Sequence, residues 1–139
     1  MMILLDTNVI SEVMQLRPEP AVMAWIDSQE PEGLWTCTIV VAEVLSGLDL
    51  MQAGKRREQL REKAEFMFST LFAGRIFPFD EAAARIYGAV LRTRKSLGRP
   101  IDEMDALIAA TALVQDAALA TRNIPDFEST GIPLINPWQ

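Results

Sequence analysis

The 139-residue chain is half hydrophobic and 23% charged, which suits one packed globular domain and excludes a disordered chain. It contains no histidine and a single cysteine, Cys37, which excludes a Ser-His-Asp triad, a histidine general base, a His- or Cys-caged zinc and an intramolecular disulfide. With a net charge of −6 and a pI near 4.6 it lacks the overall basic field that draws proteins onto nucleic acid, so any phosphodiester contact needs a local source of positive potential.

Residues 1–5 are continuously apolar, as in a strand buried on both faces of a parallel sheet. Val9, Ile10, Val13 and Met14 give residues 7–15 helical spacing, and Pro18 and Pro20 punctuate. Residues 21–28 read as a short helix, with Val22 and Ile26 on one side. Glu30-Pro31-Glu32-Gly33 reads as a turn before a strand at 34–38. A helix apolar on nearly every side follows over 39–51, and Gly54 breaks it. The pattern then predicts one amphipathic helix over 55–73, with Leu60, Ala64, Met67 and Leu71 on a common face.

A strand at 75–79 leads to Asp80, a good N-cap for a helix over 81–97 that Gly98 and Pro100 end. Another helix starts at Asp102 and runs to about residue 116. A strand over 117–122, a loop or short helix over 123–129 and a last strand over 132–136 complete the chain. Strands alternate with helices, and no internal repeat or linker interrupts them. The expectation is a single α/β domain over 1–139, with a parallel sheet covered by helices on both faces. No stretch reaches the roughly 18 apolar residues of a membrane helix. Residues 1–11 lack a basic region and Asp6 breaks their apolar run, so no secretory signal is read and a cytoplasmic location is expected.

Three acids are isolated in apolar surroundings. Asp6 is the only charge over residues 1–11, Glu43 is the only charge over 33–48, and Asp105 opens an uncharged stretch over 106–115. Carboxylates are almost never fully buried without a partner, and no Lys or Arg is near any of them in sequence. Each has a plainer reading: Asp6 as an N-cap, Asp105 as a capping or dipole-answering residue of its helix, Glu43 as a surface acid. The fold joins them. Ligands of open parallel sheets bind beyond the carboxyl ends of the strands, and Asp6, Glu43, Asp105 and Asn123 all fall near that edge. Two carboxylates about 5 Å apart repel by roughly 3 kcal/mol at an effective dielectric of 20, so such a cluster needs raised pKa values or a cation. An all-oxygen donor set selects Mg²⁺ or Mn²⁺, or Ca²⁺ with more ligands. That cation would supply the local positive potential that an acidic protein otherwise lacks.

Ile-Leu-Leu-Asp-Thr-Asn at 3–8 with Ser11, Glu43 within Val-Val-Ala-Glu-Val-Leu-Ser-Gly-Leu, Pro-Ile followed by Asp-Ala-Leu-Ile-Ala-Ala-Thr-Ala at 105–112, and Ala-Thr-Arg-Asn-Ile-Pro-Asp-Phe at 120–127 together resemble the PIN-domain family. The closing Asn-Pro-Trp resembles the FitB-like branch of its VapC-type toxins. The resemblance spans essentially the whole chain. It implies a three-layer αβα fold around a parallel sheet of four to five strands. It also implies a Mg²⁺- or Mn²⁺-dependent endoribonuclease, the toxin of a type II toxin–antitoxin pair, that hydrolyses RNA with metal-activated water. Asp6, Glu43 and Asp105 match the family's core acids, with the metal most often on the first and third, and Glu43 either holding a second metal or, through water, orienting and deprotonating the nucleophile. Its fourth position, often Asp, falls on Asn123, and Asp126 is the alternative. Asn8, Ser11 and Thr121 match residues that line the site. The family further implies an RNA substrate, a DNA-binding antitoxin partner and a homodimer.

Secondary signals are weaker. Arg85, Arg92, Arg94, Lys95 and Arg99 form an acid-free basic row over 82–101, either a solvated helix face or a phosphate track for RNA. Trp25, Trp35 and Trp138 are expected in core or interface. Methionines with Leu16 and Leu50 are candidates for a partner-helix groove. Two other functions compete with the nuclease. One is a PIN-like binding module without catalysis, for which Asn123 argues. The other is a phosphatase using Asp6 as a covalent nucleophile, disfavoured because Asn8 stands where a second Asp is wanted.

Overall fold

The computed structural model describes residues 1–139. Five short parallel strands, β1 (Ile3–Leu5), β2 (Leu34–Cys37), β3 (Ile76–Phe77), β4 (Ala118–Ala120) and β5 (Leu134–Ile135), form one sheet in the order β3-β2-β1-β4-β5. Seven helices flank it: α1 (Thr7–Val13), α2 (Pro20–Asp27), α3 (Thr38–Leu50), α4 (Lys55–Phe66), α5 (Glu81–Ser96), α6 (Glu103–Val114) and α7 (Ile124–Phe127). This is the three-layer αβα architecture expected. β1, β2 and β4 are buried along almost their whole length, because a parallel strand covered on both faces has no solvent side. They anchor a single cluster of 29 buried apolar residues. No helix is long and apolar enough to cross a membrane.

Three elements differ from the sequence pattern. The predicted helix over 55–73 is α-helical only to Phe66 and then widens into a π-turn at Met67–Leu71, closed by the Phe72 N–H donating to Met67 O at 2.8 Å. The widening buries Met67, Phe68 and Phe72 together and turns Leu71 outward, whereas 3.6-residue spacing puts Leu71 inside. β3 is shorter than predicted because Pro78 has no N–H to donate. β5 is confined between Pro133 and Pro137 for the same reason.

The strand order carries the functional consequence. From β1 the chain winds outward to β2 and β3, then returns past β1 to β4 and β5. The switch between β1 and β4 leaves a crevice beyond their carboxyl ends. Asp6 ends β1 and Thr121 follows β4 there. Helices α1, α3 and α6 begin on the same edge, since each follows a strand's carboxyl end or precedes a strand's amino end.

Candidate active site

Asp6 is 4% exposed and has three donors. The Thr7 N–H donates to Oδ1 at 2.8 Å, making Asp6 the N-cap of α1. The Thr121 hydroxyl donates to Oδ2 at 2.7 Å and the Asn8 amide donates to the same oxygen at 3.3 Å. The capping reading of Asp6 holds, and its second oxygen is left to side-chain donors. Thr121 is fully buried, and its hydroxyl also accepts from Asn8 Nδ2 at 3.3 Å and from the Asn123 N–H at 3.0 Å. One donor and two lone pairs are thus all engaged. Thr121 orients Asp6 across a sequence separation of 115 residues.

Glu43 lies in α3, and its Oε1 accepts the Thr7 hydroxyl at 2.7 Å. Thr7 therefore touches Asp6 through its main chain and Glu43 through its side chain. Nothing in the pattern singles it out, because the contact forms only when α1 packs on α3. Ser11, one turn further along α1, lines with Thr7 and Glu43 a small cavity of about 190 Å³. Asp105 stands in the first turn of α6, whose N-cap is Asp102, the Asp102 carboxylate accepting the Met104 N–H at 3.1 Å. Asp105 is thereby released from capping.

Electrostatics bind these acids into one group. Burial pushes the Asp105 carboxyl up to about 7, and the charges of Asp6, Asp102, Asp126 and Glu43 add to the rise. Burial also raises Asp6 above the usual carboxylate range, against the Thr121 and Thr7 hydrogen bonds that hold it down, and Glu43 adds to the rise. No basic side chain pairs with any of them, for the ion pairs are Arg61–Asp49, Arg85–Glu81 and Arg99–Glu128. Oxygen-only ligands of which Asp6 and Asp105 resist ionising fit a hard divalent cation, which would relieve the repulsion. No three acids are close enough together to hold a metal ion among themselves. The arrangement suits a cation that keeps much of its water, as Mg²⁺ does when one or two carboxylates hold it. Cys37 is excluded as a nucleophile, its buried thiol being pushed up to about 11.

Asn123 is exposed at the start of α7, its side chain free of partners. Asp126, one turn on, contributes to the charge felt by Asp105. The basic row divides. Arg94 is 4% exposed and cannot reach RNA, which corrects the expectation for that residue. Its Nε donates to Arg99 O at 2.8 Å, and its Nη atoms donate to Asp126 O, to Glu128 O at 3.1 Å and to Pro125 O at 3.5 Å. Arg85 pairs with Glu81, and Arg99 pairs with Glu128 and donates to Pro125 O at 3.2 Å. Arg92 and Lys95 remain exposed and unpaired. One residue that the sequence reading did not single out also stands at this edge: Arg122 lies over the ring of Trp138, 5.1 Å from its centroid.

The family model for the PIN domain matches residues 3–131. The chain is 44% identical over 138 residues to the VapC ribonuclease Y4jK of Sinorhizobium fredii, with 99% of each chain covered. It is 42% identical over 137 residues to the toxin FitB of Neisseria gonorrhoeae, again with 99% of each covered. A solved structure of FitAB bound to an IR36 DNA fragment matches with a TM-score of 0.92 at 42% identity, covering 99% of this chain and 96% of that one. The chain belongs to the PIN-domain family.

Proposed function

We propose that this chain is a Mg²⁺- or Mn²⁺-dependent endoribonuclease, acting as a single domain over 1–139 in the cytoplasm, and the toxin of a type II toxin–antitoxin pair. The observation that carries the reading is that Asp105 feels the charges of Asp6 and Glu43, and Asp6 that of Glu43, beside the β1/β4 switch without a basic partner. The similarity to a VapC ribonuclease and to the toxin FitB supports the substrate class and the biological role.

Asp6 and Asp105 would hold the cation. When bound, it would polarise a phosphoryl oxygen and lower the pKa of water at the site. Thr121, Thr7 and Asn8 fix the Asp6 carboxylate so that no reorientation is needed on substrate binding. Glu43, steadied by the Thr7 hydroxyl, orients the attacking water and accepts its proton. Asn123 and Ser11 contact substrate or water at the rim. With no histidine to activate a 2′-hydroxyl, hydrolysis leaving a 5′-phosphate is favoured over cyclisation.

The solved FitAB complex supports a protein antitoxin as partner. A cavity of about 530 Å³, lined by the apolar Met14, Leu16, Leu60 and Phe66 and by Arg56, Gln59, Glu62 and Lys63, shares Met14 and Leu60 with the cavity that reaches Glu43. An amphipathic antitoxin segment lying there would end beside Glu43. A homodimer completes the expected assembly.

Cleavage of single-stranded RNA in Mg²⁺, lost on chelation and in Asp6→Asn and Asp105→Asn, tests the reading, with the product ends mapped. The neutral Asn123 favours one alternative, a binding module. Folded wild-type protein that binds an antitoxin yet leaves RNA intact would establish that alternative instead.

A further inference from the structure

Asn8 connects the principal carboxylate to a cation. Its Nδ2 donates to Asp6 Oδ2 at 3.3 Å, and its Oδ1 accepts the main-chain N–H of Arg122 at 3.2 Å. Arg122 is thereby fixed through its backbone within two hydrogen bonds of Asp6. It sits between Thr121, which donates to Asp6, and Asn123 at the rim. Its exposed guanidinium has no carboxylate partner, whereas Arg99 is paired with Glu128 and Arg94 is engaged by carbonyl groups. It lies instead over Trp138. β5 brings the tryptophan there: Ala120 is the register partner of Ile135, the Thr121 N–H donates to Ile135 O at 2.9 Å, and the Trp138 N–H donates to Asn136 Oδ1 at 2.9 Å.

A guanidinium lying over an aromatic ring and without a carboxylate partner keeps its fork of N–H groups free for an anion. Phosphate is the anion that such a fork matches best. Beside acids that repel an RNA strand, an unpaired and backed cation is where that strand gains local attraction. We propose that Arg122, seated on Trp138, anchors a phosphate of single-stranded RNA whose scissile bond lies at Asp6 and Asp105. The strand then crosses the β4–β5 edge instead of following α5. The inference rests on the ribonuclease reading above.

The test uses a 5′-fluorescein-labelled, mixed-sequence 12-nucleotide RNA. Binding is followed by anisotropy in Mg²⁺ at several salt concentrations, with Glu43→Gln as background so that the strand stays intact. Cleavage kinetics are followed in the otherwise wild-type chain. Arg122→Gln is expected to weaken binding about tenfold and to reduce the slope of log affinity against log salt by about 0.7, the single-strand value for one phosphate. KM should rise by a similar factor with kcat within about threefold of wild type. Arg122→Lys should restore the salt slope but only part of the affinity, and Trp138→Leu should weaken binding less than Arg122→Gln. Thermal unfolding checks that each variant folds. An active wild type with unchanged KM and slope in Arg122→Gln overturns this inference alone. So does a fall in kcat with KM intact, or a larger loss in Arg92→Gln/Lys95→Gln than in Arg122→Gln. A wild type that neither binds nor cleaves the oligonucleotide removes the nuclease reading, and this inference with it.

Discussion

Thr121 shows how much a single hydroxyl can organise. Replacing it with valine keeps the shape but removes the shortest bond to Asp6, leaves the Asn123 N–H without its acceptor and leaves Asn8 Nδ2 with Asp6 Oδ2 alone. Loss of a buried donor to a carboxylate costs about 1–3 kcal/mol. Thr121→Val should therefore lower the urea midpoint accordingly and reduce kcat, while Thr121→Ser retains most of both. Asp105 makes a prediction of opposite character. Its folded pKa of about 7 lies above its ordinary 3.8, so between those values the folded chain binds a proton that the unfolded chain does not. The stabilisation is complete below about pH 4 and is lost as pH rises through about 7. Asp6, also raised, acts in the same direction. In chelator the protein should melt at a higher temperature at pH 5 than at pH 8. Asp105→Asn should flatten that slope and gain about 1–2 kcal/mol at pH 8, allowing for the water that reaches a half-buried carboxyl. A steeper slope in the variant would contradict this assignment.

Elements act here through their ends. α7 is a single turn, too short to persist alone, and it is held from behind. Arg94 of α5 donates to the carbonyls of Asp126, Glu128 and Pro125, while at the start of the turn the Asp126 N–H donates to the main-chain carbonyl of Asn123 at 3.0 Å. In sequence Arg94 is one more cation in a basic row; in the fold it is a buried clamp without a carboxylate partner. Arg94→Met should lower stability by about 1–3 kcal/mol in urea titration, because several main-chain carbonyls lose their shared, charged donor at once. Arg94→Lys should recover only part of this, since an ammonium cannot fork across three residues. The π-turn after α4 carries the same lesson. Apolar spacing correctly marks residues 55–73 as helical, but only packing decides that Phe68 and Phe72 go inside and Leu71 outside.

Across the whole molecule, a net charge of −6 meets a switch in winding between β1 and β4 that gathers acids at one edge of the sheet. A cation bound there by the folded chain alone should raise stability by RT ln(1 + [L]/Kd), about 2.7 kcal/mol at a hundredfold excess over Kd. Mg²⁺ or Mn²⁺ should thus raise the melting temperature at pH 8. The rise should vanish in Asp6→Asn and Asp105→Asn and survive in Arg94→Lys. An equal rise in all of these variants would place the cation elsewhere.

Sequence alone determined the fold class, because alternating strand and helix periods admit few right-handed arrangements of a parallel sheet. It also marked Asp6, Glu43 and Asp105, because a charge in an apolar run must be explained by something distant. Tertiary structure decided what those residues touch: Thr7 bridging two acids, Thr121 holding Asp6, Asp126 felt by Asp105, Arg94 withdrawn from solvent and Arg122 laid on Trp138. The physical reason is range. Periodicity and capping act over a few residues and can be read locally, whereas a hydrogen bond spanning 115 positions exists only once the strand order has brought its two ends together.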